Sequence, residues 1–113
     1  MSYKGYKWYS GVPHCHTVAS DGGLTLEQVI EKAKKSKIDF LIITDHNVNC
    51  KEFPDVDGLT LIYGAELTKH GGHCNMWGVK DVIDKEDYDT CESYEDFLRV
   101  KTKAEERGAV ICM

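Results

Sequence analysis

Two histidines separated by one residue, His14 and His16, are the first residues in the chain that could bind a metal ion. Side chains on an extended strand alternate between its two faces, so both imidazoles should point to one side and Cys15 to the other. Neutral imidazoles suit a divalent cation, and the carboxylate of Asp21 follows after a short turn. Taken alone, the pattern fits equally well two ordinary polar residues on a half-exposed strand followed by a simple turn.

Three further candidate ligands each adjoin a predicted strand. His46 lies just past the apolar segment 38–44, Glu66 lies at the end of segment 59–67, and His73 follows a glycine-rich turn. A glutamate at the end of an apolar strand is costly to bury unless it is paired or binds a metal. Because the carboxyl ends of parallel strands share one rim, these side chains can converge there. The predicted metal ligands are therefore His14, His16, Asp21, His46, Glu66 and His73.

Six candidate ligands are more than one metal ion needs. Four ligands complete a structural zinc site, so this surplus of histidines and carboxylates predicts two or three divalent ions, with Glu66 able to bridge them. The neighbouring Asp45 has two roles that the sequence leaves open: it orients an imidazole from behind, or it is an ordinary loop or helix-capping residue. His70 fits none of these groups and is expected to be a solvent-facing turn residue.

The elements that must position these residues begin as a strand, a helix and a strand. Residues 7–17 are predicted to form a strand that Pro13 confines to an edge or makes irregular, because proline has no N–H to donate. Thr25 and Gln28 form a capping box that opens an amphipathic helix ending near Ser36. Residues 38–44 are almost continuously apolar, which is typical of a strand buried on both faces. This order predicts a βαβ unit with parallel strands.

The second half of the chain continues the alternation of strands and helices. Strands are predicted at 59–67 and 74–79, and the acidic segment 81–92 is expected to be a solvated connection. A second helix should begin at Ser93 and end at Gly108. The fold class is therefore α/β, with βα repeats and mostly parallel strands, in a single domain over residues 1–113. The chain ends within its last predicted strand, which starts at residue 109, so we expect a truncated protein.

Composition narrows the class of protein further. The chain has 113 residues, a length that is enough for one domain with a modest core. Its formal net charge is −5. The sequence contains no apolar run long enough to span a membrane and no secretory signal. A basic stripe is also lacking, which argues against broad nucleic-acid binding. The five scattered cysteines make a poor disulfide framework, so we expect reduced thiols in a cytoplasmic protein, with Cys15 and Cys74 as spectators beside histidines.

The order of the motifs resembles the N-terminal half of the PHP (polymerase and histidinol phosphatase) domain. The motifs are HCHT at 14–17, SDG at 20–22, ITDHN at 43–47, GAE at 64–66 and GH at 72–73. They extend over residues 11–78, and the following helix with the segment 108–111 resembles the family's next αβ step. The resemblance implies part of a distorted (β/α)7 barrel and metal sites that hold zinc, manganese or iron.

The resemblance also implies a division of the ligands and an activity. His14, His16 and Glu66 would hold one metal, Glu66 and His73 would reach a second, and Asp21 and His46 a third. The implied activity is hydrolysis of a small phosphorylated substrate by a metal-activated hydroxide. The family supplies further ligands downstream, a histidine followed by proline and a late Asp-x-His, and the chain ends before either.

Two alternatives to a phosphoesterase stay open. One is a metal-binding PHP-like module without catalysis. The other is an inactive fragment of the enzyme, whose exposed strand edges and apolar surface would make it self-associate.

Overall fold

A three-stranded parallel sheet with a single crossover helix forms the first half of the protein. The computed structural model describes residues 2–69 and 72–113. His70, which was expected to be a solvent-facing turn residue, lies outside these ranges. Helices α1 to α3 and strands β1 to β8 are β1 Ser2–Tyr3, β2 Tyr6–Lys7, β3 Gly11–Val12, α1 Leu26–Lys35, β4 Phe40–Ile42, β5 Thr60–Ile62, β6 Gly64–Lys69, β7 Gly72–Trp77, α2 Lys85–Asp89, α3 Tyr94–Glu106 and β8 Val110–Cys112. Of the helices in these ranges, none combines the length and the apolar character needed to cross a membrane.

The predicted βαβ unit is confirmed. Strand β4 lies between β3 and β5 and pairs with both in parallel. Helix α1 starts with the predicted capping box, in which the Gln28 N–H donates to the Thr25 hydroxyl and the Thr25 N–H donates to the Gln28 side chain. Helix α1 and one face of the sheet share a first apolar core, which comprises Val29, Ile30, Ala33, Leu41, Ile43 and Leu59.

The first strand is much shorter than the predicted 7–17. Only Gly11–Val12 pairs with β4, and the chain leaves the ladder at Pro13, which has no N–H to donate. Beyond the proline, the Cys15 N–H donates to the Thr44 hydroxyl at 3.1 Å and the Thr44 N–H donates to the Cys15 carbonyl at 2.8 Å. This irregular segment keeps Cys15 against the first core, on the side opposite the two histidines.

The expectation of mostly parallel strands is wrong for the second half. The predicted strand 59–67 divides at Tyr63 into β5, which belongs to the parallel sheet, and β6, which pairs with β7 in antiparallel orientation. Strand β8 then pairs antiparallel with β7. The short connection between β6 and β7 explains this orientation, because a parallel pair needs a crossover of a dozen or more residues.

Helix α3 covers the antiparallel sheet and forms a second apolar core. The Ser93 hydroxyl accepts the Asp96 N–H at 3.1 Å, as expected for the helix start, and the left-handed Gly108 follows the C-cap Arg107. Phe97 is fully buried on β7, and a Cβ atom on Gly72 would lie under 3.0 Å from its ring. The helix therefore approaches the sheet closely only because position 72 carries no side chain.

The acidic segment 81–92 is partly buried, whereas its charge predicted a solvated connection. Val82, Ile83 and Cys91 are buried in the second core, and the carboxylates between them lie on the short helix α2, which Asp84 caps. The side-chain amide of Asn49 fixes this segment to the first half. Its Nδ2 donates to the Ile83 carbonyl at 2.8 Å, and its Oδ1 accepts the Ile83 N–H at 2.9 Å.

The buried ring of Phe97 should dominate the stability of the second core. Phe97→Ala is expected to lower the free energy of unfolding by about 3–5 kcal/mol, because it leaves a cavity beneath α3. Tyr6→Ala is the matched control, since Tyr6 is 75% exposed and its loss should cost under about 0.5 kcal/mol. Urea denaturation measures both values, and equal losses would show that the α3 contact contributes nothing special.

Candidate metal centre

One buried carboxylate, that of Glu66, contacts four imidazoles. Its Oε2 lies 2.9 Å from His14 Nε2, 2.8 Å from His16 Nε2 and 3.6 Å from His46 Nδ1. Its Oε1 lies 3.1 Å from His73 Nδ1. Glu66 is only 4% exposed, so water contributes little to stabilising its charge. The fold has placed a carboxylate where imidazoles, or a cation between them, must replace water.

The second carboxylate, Asp21, lies on the solvent side of the same cluster. Its Oδ1 is 2.7 Å from His16 Nδ1 and its Oδ2 is 3.5 Å from His46 Nε2. His16 therefore uses one ring nitrogen toward Asp21 and the other toward Glu66. The structure thus brings all six predicted side chains together, and their binding of a metal stays a prediction.

The donor atoms are close enough together to share ions. Two atoms bound to one zinc ion at about 2.0–2.2 Å can lie at most about 4.4 Å apart, and each contact above is shorter than that. Three overlapping groups have ligand atoms that all lie within 4.8 Å of one another: His14, His16 and Glu66; His16, Asp21 and His46; and His46, Glu66 and His73. This mixture of imidazole nitrogen and carboxylate oxygen fits zinc, manganese or iron.

The environment of both carboxylates favours their charged form. Burial is the largest influence on the pKa of Glu66 and by itself raises it, but hydrogen bonds from His14 and His73 and the charge of His46 outweigh it and hold the pKa below its usual value. A hydrogen bond from His16 is the main cause that lowers the pKa of Asp21. Both groups are therefore anionic at neutral pH, as metal binding requires.

Asp45 holds the loop that carries Asp21. Its Oδ1 accepts the Thr17 N–H at 2.6 Å and the Ser20 hydroxyl at 2.6 Å, and its Oδ2 accepts the Thr17 hydroxyl at 2.7 Å. Asp45 is 2% exposed, and these bonds to neutral donors compensate its buried charge. Of the two roles left open for Asp45, its hydrogen bonds in the described part of the chain match the loop residue. It acts on the cluster by fixing the loop, not by contacting an imidazole.

The same loop closes tightly because Gly22 has no side chain. The Gly22 N–H donates to the Thr17 carbonyl at 2.9 Å, and a Cβ atom at position 22 would lie under 3.0 Å from the His16 carbonyl oxygen. The backbone of the loop therefore folds directly onto the residue that carries one of the ligands. The SDG motif combines a ligand with the glycine that its position requires.

Sequence reasoning assigned no role to Thr68, which contacts two imidazoles, or to Asn47, which contacts Thr68. The Thr68 hydroxyl lies 2.7 Å from His46 Nδ1 and 3.4 Å from His73 Nδ1. The Asn47 side chain, from a residue with the positive φ of 58°, accepts the Thr68 N–H at 2.8 Å. Thr68 could have been found as the residue two positions after Glu66 on the same strand face. Asn47 belongs to the ITDHN motif, but its type and position gave no indication that it would contact Thr68.

Neither cysteine beside a histidine joins the cluster. Cys15 packs against the first core, and Cys74 is buried in the second. Burial raises the pKa of the Cys74 thiol to about 11, so it is protonated at neutral pH and is a poor ligand. Both agree with the expected role of spectators.

Comparison with known proteins finds a likeness of structure but not of sequence. No protein-family model matches the chain, and no curated protein matches its sequence. A similar solved structure is that of a two-domain protein containing a predicted PHP-like metal-dependent phosphoesterase from Bacteroides vulgatus. It has a TM-score of 0.69 and 22% sequence identity. The likeness covers 96% of this chain and 35% of that chain. It shows a PHP-like fold, while the closed barrel and the truncation stay predictions.

Loss of the Asp45 charge should loosen the loop that carries Asp21. Asp45→Asn is expected to lower the free energy of unfolding by about 1–3 kcal/mol, because one of its three buried hydrogen-bond donors loses its acceptor. Hydrogen exchange at the Thr17 amide should accelerate as well. Asp55→Asn, in an exposed loop, is the control and should change neither quantity. Unchanged exchange at Thr17 in Asp45→Asn would contradict this anchoring role.

Proposed function

We propose that this protein is a metal-dependent phosphoesterase, with two or three divalent ions held by His14, His16, Asp21, His46, Glu66 and His73. The observation that carries the proposal is the buried carboxylate of Glu66 in contact with four imidazoles. A structural ion pair needs one partner, whereas this arrangement supplies overlapping sets of ligands around one bridging group. The PHP-like fold and the order of the motifs support the same class of reaction.

Different residues of the chain would have different roles in such a site. Divalent ions bound there would supply a hydroxide near neutral pH and would neutralise the charge on the phosphoryl oxygens. Glu66 holds the buried side of the centre, and Thr68 orients the imidazoles of His46 and His73. The side chains of Asp21 and His73 are 67% and 63% exposed, so this side of the centre is open to a substrate.

The negative charge of the site implies that metal ions bind before the substrate does. Without cations, the two ionised carboxylates would repel a phosphate ester, as would the net charge of −5. Bound divalent ions reverse the local potential. We therefore propose a small phosphorylated substrate that binds only to the metal-loaded protein.

The metal content of the purified protein tests the centre directly. Elemental analysis after purification without chelator should give two or more equivalents of zinc, manganese or iron per chain. Glu66→Gln should lose at least half of this metal, because the bridging charge is gone. Glu31→Gln, an exposed position on α1, is the matched control and should retain it. Equal metal content in both variants would refute a bridging role for Glu66.

Phosphate release tests the catalytic part of the proposal. With added manganese, the protein should hydrolyse phosphomonoesters. Loss of a residue that only hydrogen-bonds to a metal ligand costs about 10–100-fold in activity. His16→Ala removes a proposed ligand itself, so it should lower kcat/KM by more than that. His70→Ala is the matched control, because His70 matches none of the motifs. Bound metal without phosphate release would indicate a non-catalytic metal-binding module instead.

A further inference from the structure

The backbone around the metal centre holds the Thr68 hydroxyl against the imidazole of His46. The Asn47 N–H donates to the Glu66 carbonyl at 2.9 Å, and the Asn47 side chain accepts the Thr68 N–H at 2.8 Å. The residue that follows His46 is therefore bonded to strand β6 at two successive points. These bonds fix the strand beside His46, where Thr68 Oγ1 lies 2.7 Å from His46 Nδ1.

The position of one proton decides which metal ion His46 can bind. A neutral imidazole has one N–H and one lone pair, and only the nitrogen with the lone pair is a metal ligand. Nε2 of His46 lies 3.5 Å from Asp21 Oδ2, whereas Nδ1 lies 3.6 Å from Glu66 Oε2. His46 could therefore share an ion with Asp21 through Nε2 or an ion with Glu66 through Nδ1, but not both.

The groups around Nδ1 of His46 favour the proton on that nitrogen. The Thr68 hydroxyl can accept an N–H or donate to a lone pair, so it permits either arrangement by itself. The anionic carboxylate of Glu66 faces the same nitrogen and would attract an N–H but repel a lone pair. With the proton on Nδ1, Thr68 is its acceptor at 2.7 Å. The lone pair of Nε2 then faces Asp21, at a separation that one zinc ion bound at about 2.0–2.2 Å from each atom can bridge.

We propose that Thr68 is a positioning residue that keeps the proton of neutral His46 on Nδ1 and thereby directs Nε2 to an ion shared with Asp21. The ion beside Glu66 is then left to His73, whose Nδ1 lies 3.1 Å from Glu66 Oε1 and 3.4 Å from the Thr68 hydroxyl. Metal-binding histidines commonly donate their other ring N–H to a fixed acceptor in this way. This inference rests on the metal centre of the proposed function and does not depend on hydrolysis.

The nitrogen resonances of His46 in the zinc-loaded protein test the proposal without any variant. Long-range ¹H–¹⁵N correlation spectra distinguish a protonated ring nitrogen from one that binds zinc. Nδ1 of His46 should carry the proton and Nε2 should bind the ion. Zinc on Nδ1, or on neither nitrogen, would overturn the proposal.

Zinc affinity, measured by competition with a chromophoric chelator, tests the contribution of Thr68. Thr68→Val removes the acceptor and should weaken one zinc equivalent by about 10–100-fold. Thr68→Ser keeps the hydroxyl and should restore the affinity. Thr60→Val, at an exposed position on β5, is the matched control and should bind zinc as the unaltered protein does. Unchanged affinity in Thr68→Val, or a loss that Thr68→Ser shares, would show that the hydroxyl does not position His46.

The same measurements separate this inference from the proposed function. Zinc bound to Nε2 without phosphate release would uphold the role of Thr68 and refute the phosphoesterase. Phosphate release with zinc on Nδ1 would do the reverse. Failure to bind zinc would overturn the inference, whereas the phosphoesterase would be refuted only if manganese also gave no hydrolysis.

Discussion

The two halves of the protein are joined by a short parallel contact between the segment after β4 and strand β6. The Glu66 N–H donates to the Asp45 carbonyl at 3.0 Å, and the Asn47 N–H donates to the Glu66 carbonyl at 2.9 Å. This contact fixes His46 beside Glu66 as an isolated parallel pair. Since β3 brings His14 and His16 to β4, and β7 brings His73 to β6, every ligand of the candidate centre is positioned through it. The site and the junction of the two sheets are the same piece of backbone.

Two carboxylates are buried at this junction, and the chain stabilises them in different ways. Asp45 accepts three hydrogen bonds from uncharged loop groups, which is enough to compensate its charge. Within the described residues, the side chains that hydrogen-bond or ion-pair with the Glu66 carboxylate are imidazoles. The Nε2 atoms of His14 and His16 lie 3.0 Å apart. Imidazoles crowded in this way repel one another when protonated and become ligands when neutral. A cation would relieve the crowding, so metal binding should stabilise the fold as well as the site.

Elements whose signals are local could be predicted from the sequence. Helices α1 and α3 begin at the expected Thr25 and Ser93, because a capping residue needs only its own next turn. The division of 59–67 at Tyr63 could not be predicted, because pairing with β4 or with β7 decides it and both are distant in sequence. The burial of Val82 and Ile83 was not predicted, because the charged residues around them in the sequence are typical of a solvated segment.

The six candidate ligands were found from their residue types, but the reason given for their convergence was only partly right. A rim of parallel strand ends explains His46, which follows β4. Glu66 and His73 instead lie within an antiparallel pair, with Glu66 in the third position of β6 and His73 in the second position of β7. Motif order along the chain therefore carried more information about the site than the expected topology did.

Two buried amides differ in how completely the described part of the chain pairs them. Asn49 satisfies both ends of its amide on the backbone of Ile83 and thereby ties the two halves together. Asn75 is similarly enclosed, yet its Oδ1 has no partner within the described residues. The amide of Asn49 therefore helps to hold together the two sheets whose junction carries the candidate metal centre.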